Sequence, residues 1–193
     1  MNKVYAGVGS RCTPIEVGRQ MQDYATRLAA LGYTMVSGGA RKKRDAPDNV
    51  CSADHVFEWA VAKAKAKMII YRAYVNKFTP CGPADVRVPS EEQFNVAKAF
   101  IRAHAIIPWF DKMSSWAQLL HLRNYYQIHY DVGKKVDFVI AYAPLDDKGE
   151  PLGGTRTAIK IAEKTGVKCY NLARPLDVAM LEDLLNELEG HHG

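Results

Sequence analysis

Three times in this chain a short apolar run of strand length breaks off at glycines and gives way to a stretch with helical periodicity. Lys3 to Gly7 leads into Gly7-Val8-Gly9-Ser10-Arg11, and Tyr33 to Ser37 leads into Gly38-Gly39-Ala40. Val136 to Ala143 leads through the turn-forming Asp146-Asp147-Lys148-Gly149 to Gly153-Gly154-Thr155-Arg156-Thr157. Strands that alternate with helices pair in parallel, because a parallel neighbour needs a crossover long enough to hold a helix. The pattern predicts an α/β chain: a Rossmann-like domain with a mainly parallel sheet flanked by helices. In such sheets ligands bind outside the carboxyl ends of the strands, and all three glycine turns fall at that edge.

The last unit carries the clearest chemistry. Ala158 to Lys164 has Ile159, Ile161 and Ala162 as apolar positions, Gly166 sits where a helix stops, and Val167 to Leu172 reads as another strand. Gly153-Gly154 thus opens a helix. Two glycines let backbone N–H groups approach an anion, and a helix N-terminus adds roughly half a positive charge. Thr155 and Thr157 offer hydroxyl donors, and Arg156 a cation. The same residues also suit a tight connection with no ligand, since the spacing is neither the dinucleotide fingerprint nor a P-loop.

Elsewhere the chain reads as alternating elements. Thr13-Pro14 looks like an N-cap and first helical position, ahead of the apolar stripe Val17, Met21, Tyr24, Ala25, Leu28 and Leu31. The basic run Arg41-Lys42-Lys43-Arg44 opens a loop, and a helix from Asp54 to Lys65 carries Trp59, read as core. Lys67 to Tyr71 is a strand, Arg72 to Ser90 a loop, and Ser90 with Gln93 forms a capping box. A helix over 114–131 bears Arg123-Asn124, with His121 and His129 read as packing or surface residues. A C-terminal helix is expected at about 176–189.

At 193 residues, one domain spanning 1–193 is expected, and with 48% apolar residues the chain has material for a core. No apolar run approaches the ~20 residues of a membrane span, so no membrane partner is expected. Cys12, Cys51, Cys81 and Cys169 are scattered without a Cys-x-x-Cys pair, which predicts no metal site; no cofactor is expected. With the strand-like start at Lys3 this makes a cytoplasmic protein the expectation. A net charge of +5 suits a polyanionic or phosphorylated partner, although it is also ordinary for a soluble chain.

Taken together, Gly9-Ser10-Arg11, Ser37-Gly38-Gly39-Ala40-Arg41, Leu122-Arg123-Asn124 and Gly153-Gly154-Thr155 resemble one superfamily. It unites the DNA-processing protein DprA/Smf with the Lonely Guy phosphoribohydrolases, and is called SLOG. The resemblance spans roughly residues 3 to 172 and looks closest to compact DprA-like versions from bacteriophages. It implies a rim that binds a nucleotide-derived ligand or a nucleic-acid phosphate. Gly9, Ser10 and Arg11 would make an early contact, Gly38, Gly39 and Arg41 a second loop, Arg123 and Asn124 a basic position, and Gly153, Gly154, Thr155, Arg156 and Thr157 the phosphate turn.

Two departures bear on activity. Family members commonly read Gly-Gly-Ala-Arg-Gly-Ala-Asp, whereas here Lys42 follows Arg41 and the Ala-Asp pair recurs at Ala53-Asp54, which implies a basic insertion at about 41–52. The hydrolase branch carries a glutamate at the position counted here to Lys160, with Arg156 in place of a third glycine. A lysine cannot stabilise an oxocarbenium-like sugar or activate water as a carboxylate does. Asp54 and Glu58, one helical turn apart, are the remaining catalytic candidates, although Glu58 equally suits an arginine partner. The expectation is a binder of a phosphate-bearing, nucleotide-derived ligand, such as a signalling nucleotide. The alternatives are a DprA-like single-stranded DNA-binding protein and an N-glycosidic hydrolase or transferase acting on nucleotides. A homo-oligomer, dimer or higher, is expected from related folds.

Overall fold

The computed structural model describes residues 3–75 and 77–190; residue 76 and the ends of the expected domain span, 1–2 and 191–193, lie outside the described residues. The elements in order are β1 (Val4–Gly9), β2 (Thr13–Pro14), α1 (Ile15–Ala30), β3 (Thr34–Ser37), β4 (Val50–Cys51), α2 (Ala53–Lys63) and β5 (Met68–Tyr71). Then follow β6 (Asp85–Arg87), α3 (Glu91–Ala103), a 3-10 turn at Phe110–Lys112, α4 (Ser115–Ile128), β7 (Phe138–Tyr142), α5 (Thr155–Lys164), β8 (Lys168–Asn171) and α6 (Pro175–Gly190).

Six strands form one sheet in the order β6-β5-β3-β1-β7-β8, every pair parallel. The Rossmann-like α/β architecture read from the sequence is therefore the fold. Side chains alternate across the sheet, as a two-residue period requires. Val4, Ala6 and Val8 of β1 face one core with Ile101, Leu122, Tyr126 and Ile159. Tyr5 faces the other, with Met21, Leu28, Phe57, Ile140 and Leu181. Burial on both faces accounts for the continuous apolar runs at β5 and β7. Strand order runs outward from β1 in one direction through β3, β5 and β6, and in the other through β7 and β8. In open α/β sheets the ligand crevice lies where the direction switches, which here is between β1 and β7. Among the described residues no helix is long and apolar enough to cross a membrane.

Three local readings are corrected. Thr13-Pro14 does not cap α1: it pairs antiparallel with Val50–Cys51, and α1 begins at Ile15 with no side-chain cap at Pro14. The long loop supplies that partner strand, so extended pairing wins over capping. The 72–90 segment is not all loop, because Asp85–Arg87 adds β6 in parallel to the edge at β5. A short, charged edge strand has no apolar pattern to announce it. Trp59 is not core: it is 44% exposed, with the Lys63 ammonium 5.1 Å from its ring centroid. The capping box is present, Ser90 accepting from Gln93 N–H and Gln93 from Ser90 N–H.

Candidate functional site

The ends of β1 and β3 are tied to the start of α2 by one carboxylate. A Cβ on Gly9 would lie 2.5 Å from Ala53 Cβ, so only glycine lets α2 begin this close to β1. The Gly9 N–H then donates to Asp54 Oδ1 at 3.2 Å, and the Ala40 N–H to Oδ2 at 3.0 Å. Asp54 is 2% exposed. Burial pushes its carboxyl above the usual range, opposed by Arg123 and by these two amides. Ser10 closes the same corner: its N–H donates to Tyr142 O at 3.0 Å, and its carbonyl accepts from Ala53 N–H at 3.0 Å. Arg11 projects into solvent.

The second loop is braced from below. Arg41 forms a two-pronged pair with Glu58, Nη1 to Oε2 at 2.8 Å and Nη2 to Oε1 at 2.9 Å, and also donates to Thr79 O at 3.1 Å. Glu58 is fully buried and accepts a further bond from Cys81 N–H at 2.5 Å. Arg41, expected at a phosphate, therefore has its planar fork engaged inside the protein. Asp54 and Glu58, the two catalytic candidates, are both held by internal donors.

Arg123 is different. Its guanidinium lies against the chain at Gly38, where a Cβ would come within 1.6 Å of Nη1, so the missing side chain of Gly38 makes its passage. Among the described residues no acceptor hydrogen-bonds to it. Burial pushes its pKa down, with Asp54 opposing and Arg72 and Arg11 adding to the repulsion. Arg72, the first residue after β5, donates to the carbonyls of Gly38 at 3.1 Å and Gly39 at 2.7 Å. It lies 4.3 Å from the centroid of Phe78, which also has the Arg41 guanidinium at 4.7 Å. Gly39 has φ +61, and a Cβ there would strike Ile70 and Phe78.

Helix α4 joins this cluster to the third glycine turn. One turn of it presents His121, Arg123 and Asn124. Asn124 Nδ2 donates to Gly154 O at 3.1 Å, and His121 Nδ1 lies 2.7 Å from Thr157 Oγ1. Thr157 is buried, so its hydroxyl, expected on an anion, is a strut to His121 instead. Burial and Arg123 hold His121 below the usual histidine pKa, so it stays neutral near pH 7. Gly153 adopts φ +74, and a Cβ at Gly153 or Gly154 would meet nothing within 4 Å. The amides of Arg156 and Thr157 fold back onto the carbonyls of Gly153 and Gly154, while those of Gly154 and Thr155 have no acceptor among the described residues. Among the described residues Arg156 has only a loose ion pair, 3.9 Å from Glu150.

No protein-family model and no curated protein matches the sequence. Solved structures do match. DNA processing protein A from Helicobacter pylori, which binds single-stranded DNA, superposes with a TM-score of 0.59 at 17% identity, covering 97% of this chain and 80% of that one. Two structures of the molybdenum cofactor carrier protein from Chlamydomonas reinhardtii superpose with TM-scores of 0.53 and 0.50 at 10% and 12% identity, each covering 94% of this chain and 83% of that one. The likeness spans nearly the whole chain and shows a shared Rossmann-like fold.

On this shared Rossmann-like frame most of the residues singled out in the sequence divide in two by their contacts. Gly9, Ser10, Gly38, Gly39, Arg123, Asn124, Gly153 and Gly154 meet around one rim, joined by α2 and α4. Arg41 and Thr157 face inward. Sequence reasoning passed over Arg72, Tyr74 and Phe78, and read His121, which holds Thr157, as a packing or surface residue. Arg72 had a usable signal, since the residue following a parallel strand stands at the carboxyl edge as the glycines do. For Phe78 and Tyr74, inside an irregular segment, no sequence signal exists.

Proposed function

We propose that the rim binds a phosphate-bearing, nucleotide-derived ligand, and that Arg123 is its anchor. The observation that carries this reading is a half-buried guanidinium with no acceptor among the described residues, on the helix whose next residue, Asn124, holds Gly154 O where the amides of Gly154 and Thr155 stand open. A cation drawn partly out of water is normally paired, because a charge left without hydrogen bonds in a lowered dielectric is costly. A phosphate reaching Arg123 would supply those acceptors, and the two amides at the start of α5 favour the same charge. In this reading Thr155, Arg156 and Arg11 serve as further donors to the ligand. This is a binder's chemistry. Asp54 and Glu58 already accept from internal donors, and Lys160 is no substitute for a carboxylate at a developing sugar cation.

Calorimetry with mononucleotides and dinucleotides tests the reading. Gly154→Asp is expected to abolish binding at least about 30-fold while leaving the melting temperature nearly unchanged, since the added side chain enters open space but brings a negative charge. Equal affinity in the folded variant removes the Gly153–Gly154 turn from the site.

A second reading, a single-stranded DNA groove, is favoured by Lys43 and Arg44, which are exposed in the loop that follows Arg41. If this loop tracks a strand, replacing Lys42, Lys43 and Arg44 by glutamine flattens the salt dependence of oligonucleotide binding by up to roughly one unit of slope per lost contact. A parent protein that fails to bind oligonucleotide at low salt excludes it.

A further inference from the structure

We infer that Trp116 and Tyr74 form a base-stacking platform, so that the ligand at the rim carries a nucleobase and not merely a sugar phosphate. The inference rests on the phosphate reading above and extends it to the other end of the ligand. Tyr74 and Trp116 come from separate parts of the chain, the segment after β5 and the first turn of α4. Their ring centroids are 4.0 Å apart with planes inclined at 37°. Tyr74 also adjoins the cationic cluster: the Arg72 guanidinium carbon lies 6.0 Å from its ring centroid.

Trp116 itself is 51% exposed although Tyr74 covers one side of it. It lies seven residues before Arg123, two helical turns, and so on the same face of α4, about 10 Å nearer the helix N-terminus. Helical side chains lean toward the N-terminus, which carries the Arg123 guanidinium in the direction of Trp116. The two ends of a nucleotide are thereby addressed by one helix face: the phosphate by Arg123, the base by the open side of Trp116. Base-on-aromatic stacking tolerates any base because each has a π-face, with purines offering the larger one. Trp59 and Trp109 are also exposed, but neither has an arginine cluster beside it among the described contacts.

The test compares adenosine, guanosine, cytidine and uridine 5′-monophosphates with ribose 5-phosphate, by calorimetry, in the parent and in Trp116→Leu. The platform predicts that the best nucleotide binds at least about 10-fold tighter than ribose 5-phosphate in the parent. Trp116→Leu removes that advantage and leaves the affinity for ribose 5-phosphate unchanged. In a Trp59→Phe, Trp109→Phe background the remaining indole is quenched by the nucleotide and not by ribose 5-phosphate. Equal binding of nucleotide and ribose 5-phosphate by the parent overturns the platform while the phosphate site stands. A Trp116→Leu variant that loses affinity equally for both overturns it too, since that marks a structural role for the ring. If neither ligand binds the parent, the phosphate reading fails and the platform falls with it.

Discussion

Arg123→Met is expected to weaken the tightest-binding mononucleotide about 100-fold, the largest binding effect of any single change at the rim. Bonds from a guanidinium to phosphate are charge-assisted and two-pronged, and removing one partner of such a buried pair costs about 2–5 kcal/mol. Arg123→Lys is not expected to restore it, because an ammonium lacks the planar fork. The unliganded variant should melt within a few degrees of the parent. Methionine relieves a partly desolvated charge, but Asp54 loses the cation that opposes its own burial, and the two changes offset. Gly38→Ala offers an independent route to the same result, since its Cβ would occupy the space of Arg123 Nη1. Calorimetry beside a thermal melt decides the matter. A folded Arg123→Met protein that binds as the parent does would falsify the anchor.

Arg41→Ala is expected to cost about 3 kcal/mol of stability and to lower the melting temperature by about 10 °C. Among the described residues the change leaves the fully buried carboxylate of Glu58 with the N–H and thiol of Cys81. Orphaning a buried charge normally costs 3–5 kcal/mol, and the lower end applies because the Arg41 guanidinium is itself 35% exposed. Adding Glu58→Gln to Arg41→Ala should recover part of the loss, because the amide carries no charge to desolvate. Below the melting transition the double variant should bind mononucleotides within about threefold of the parent, which is under 1 kcal/mol. A Glu58→Gln rescue that restores stability but leaves affinity far below the parent's would return Arg41 to the ligand.

The sequence by itself determined the sheet, and with it the edge where the rim stands. Runs such as Met68–Tyr71 and Phe138–Tyr142 are apolar at successive positions because both faces of a parallel strand are covered, so they can be read without a structure. Glycines directly after strands mark close backbone approaches for the same local reason: Gly9 and Gly38 make room for Ala53 and Arg123. The β6 edge was illegible because three exposed or half-buried residues, Asp85-Val86-Arg87, pair through backbone groups that carry no residue code. Only the tertiary structure decided which arginine is left without an internal acceptor among the described residues. Arg41 and Arg123 look alike in sequence, each beside a motif of the rim. Glu58, seventeen positions from Arg41, turns one of them into a brace, while no described acceptor reaches the other. The same holds for Thr157, whose hydroxyl turns to His121 across 36 residues. A side chain's partner is chosen by packing between elements distant in the chain, and local spacing records only the element on which it rides.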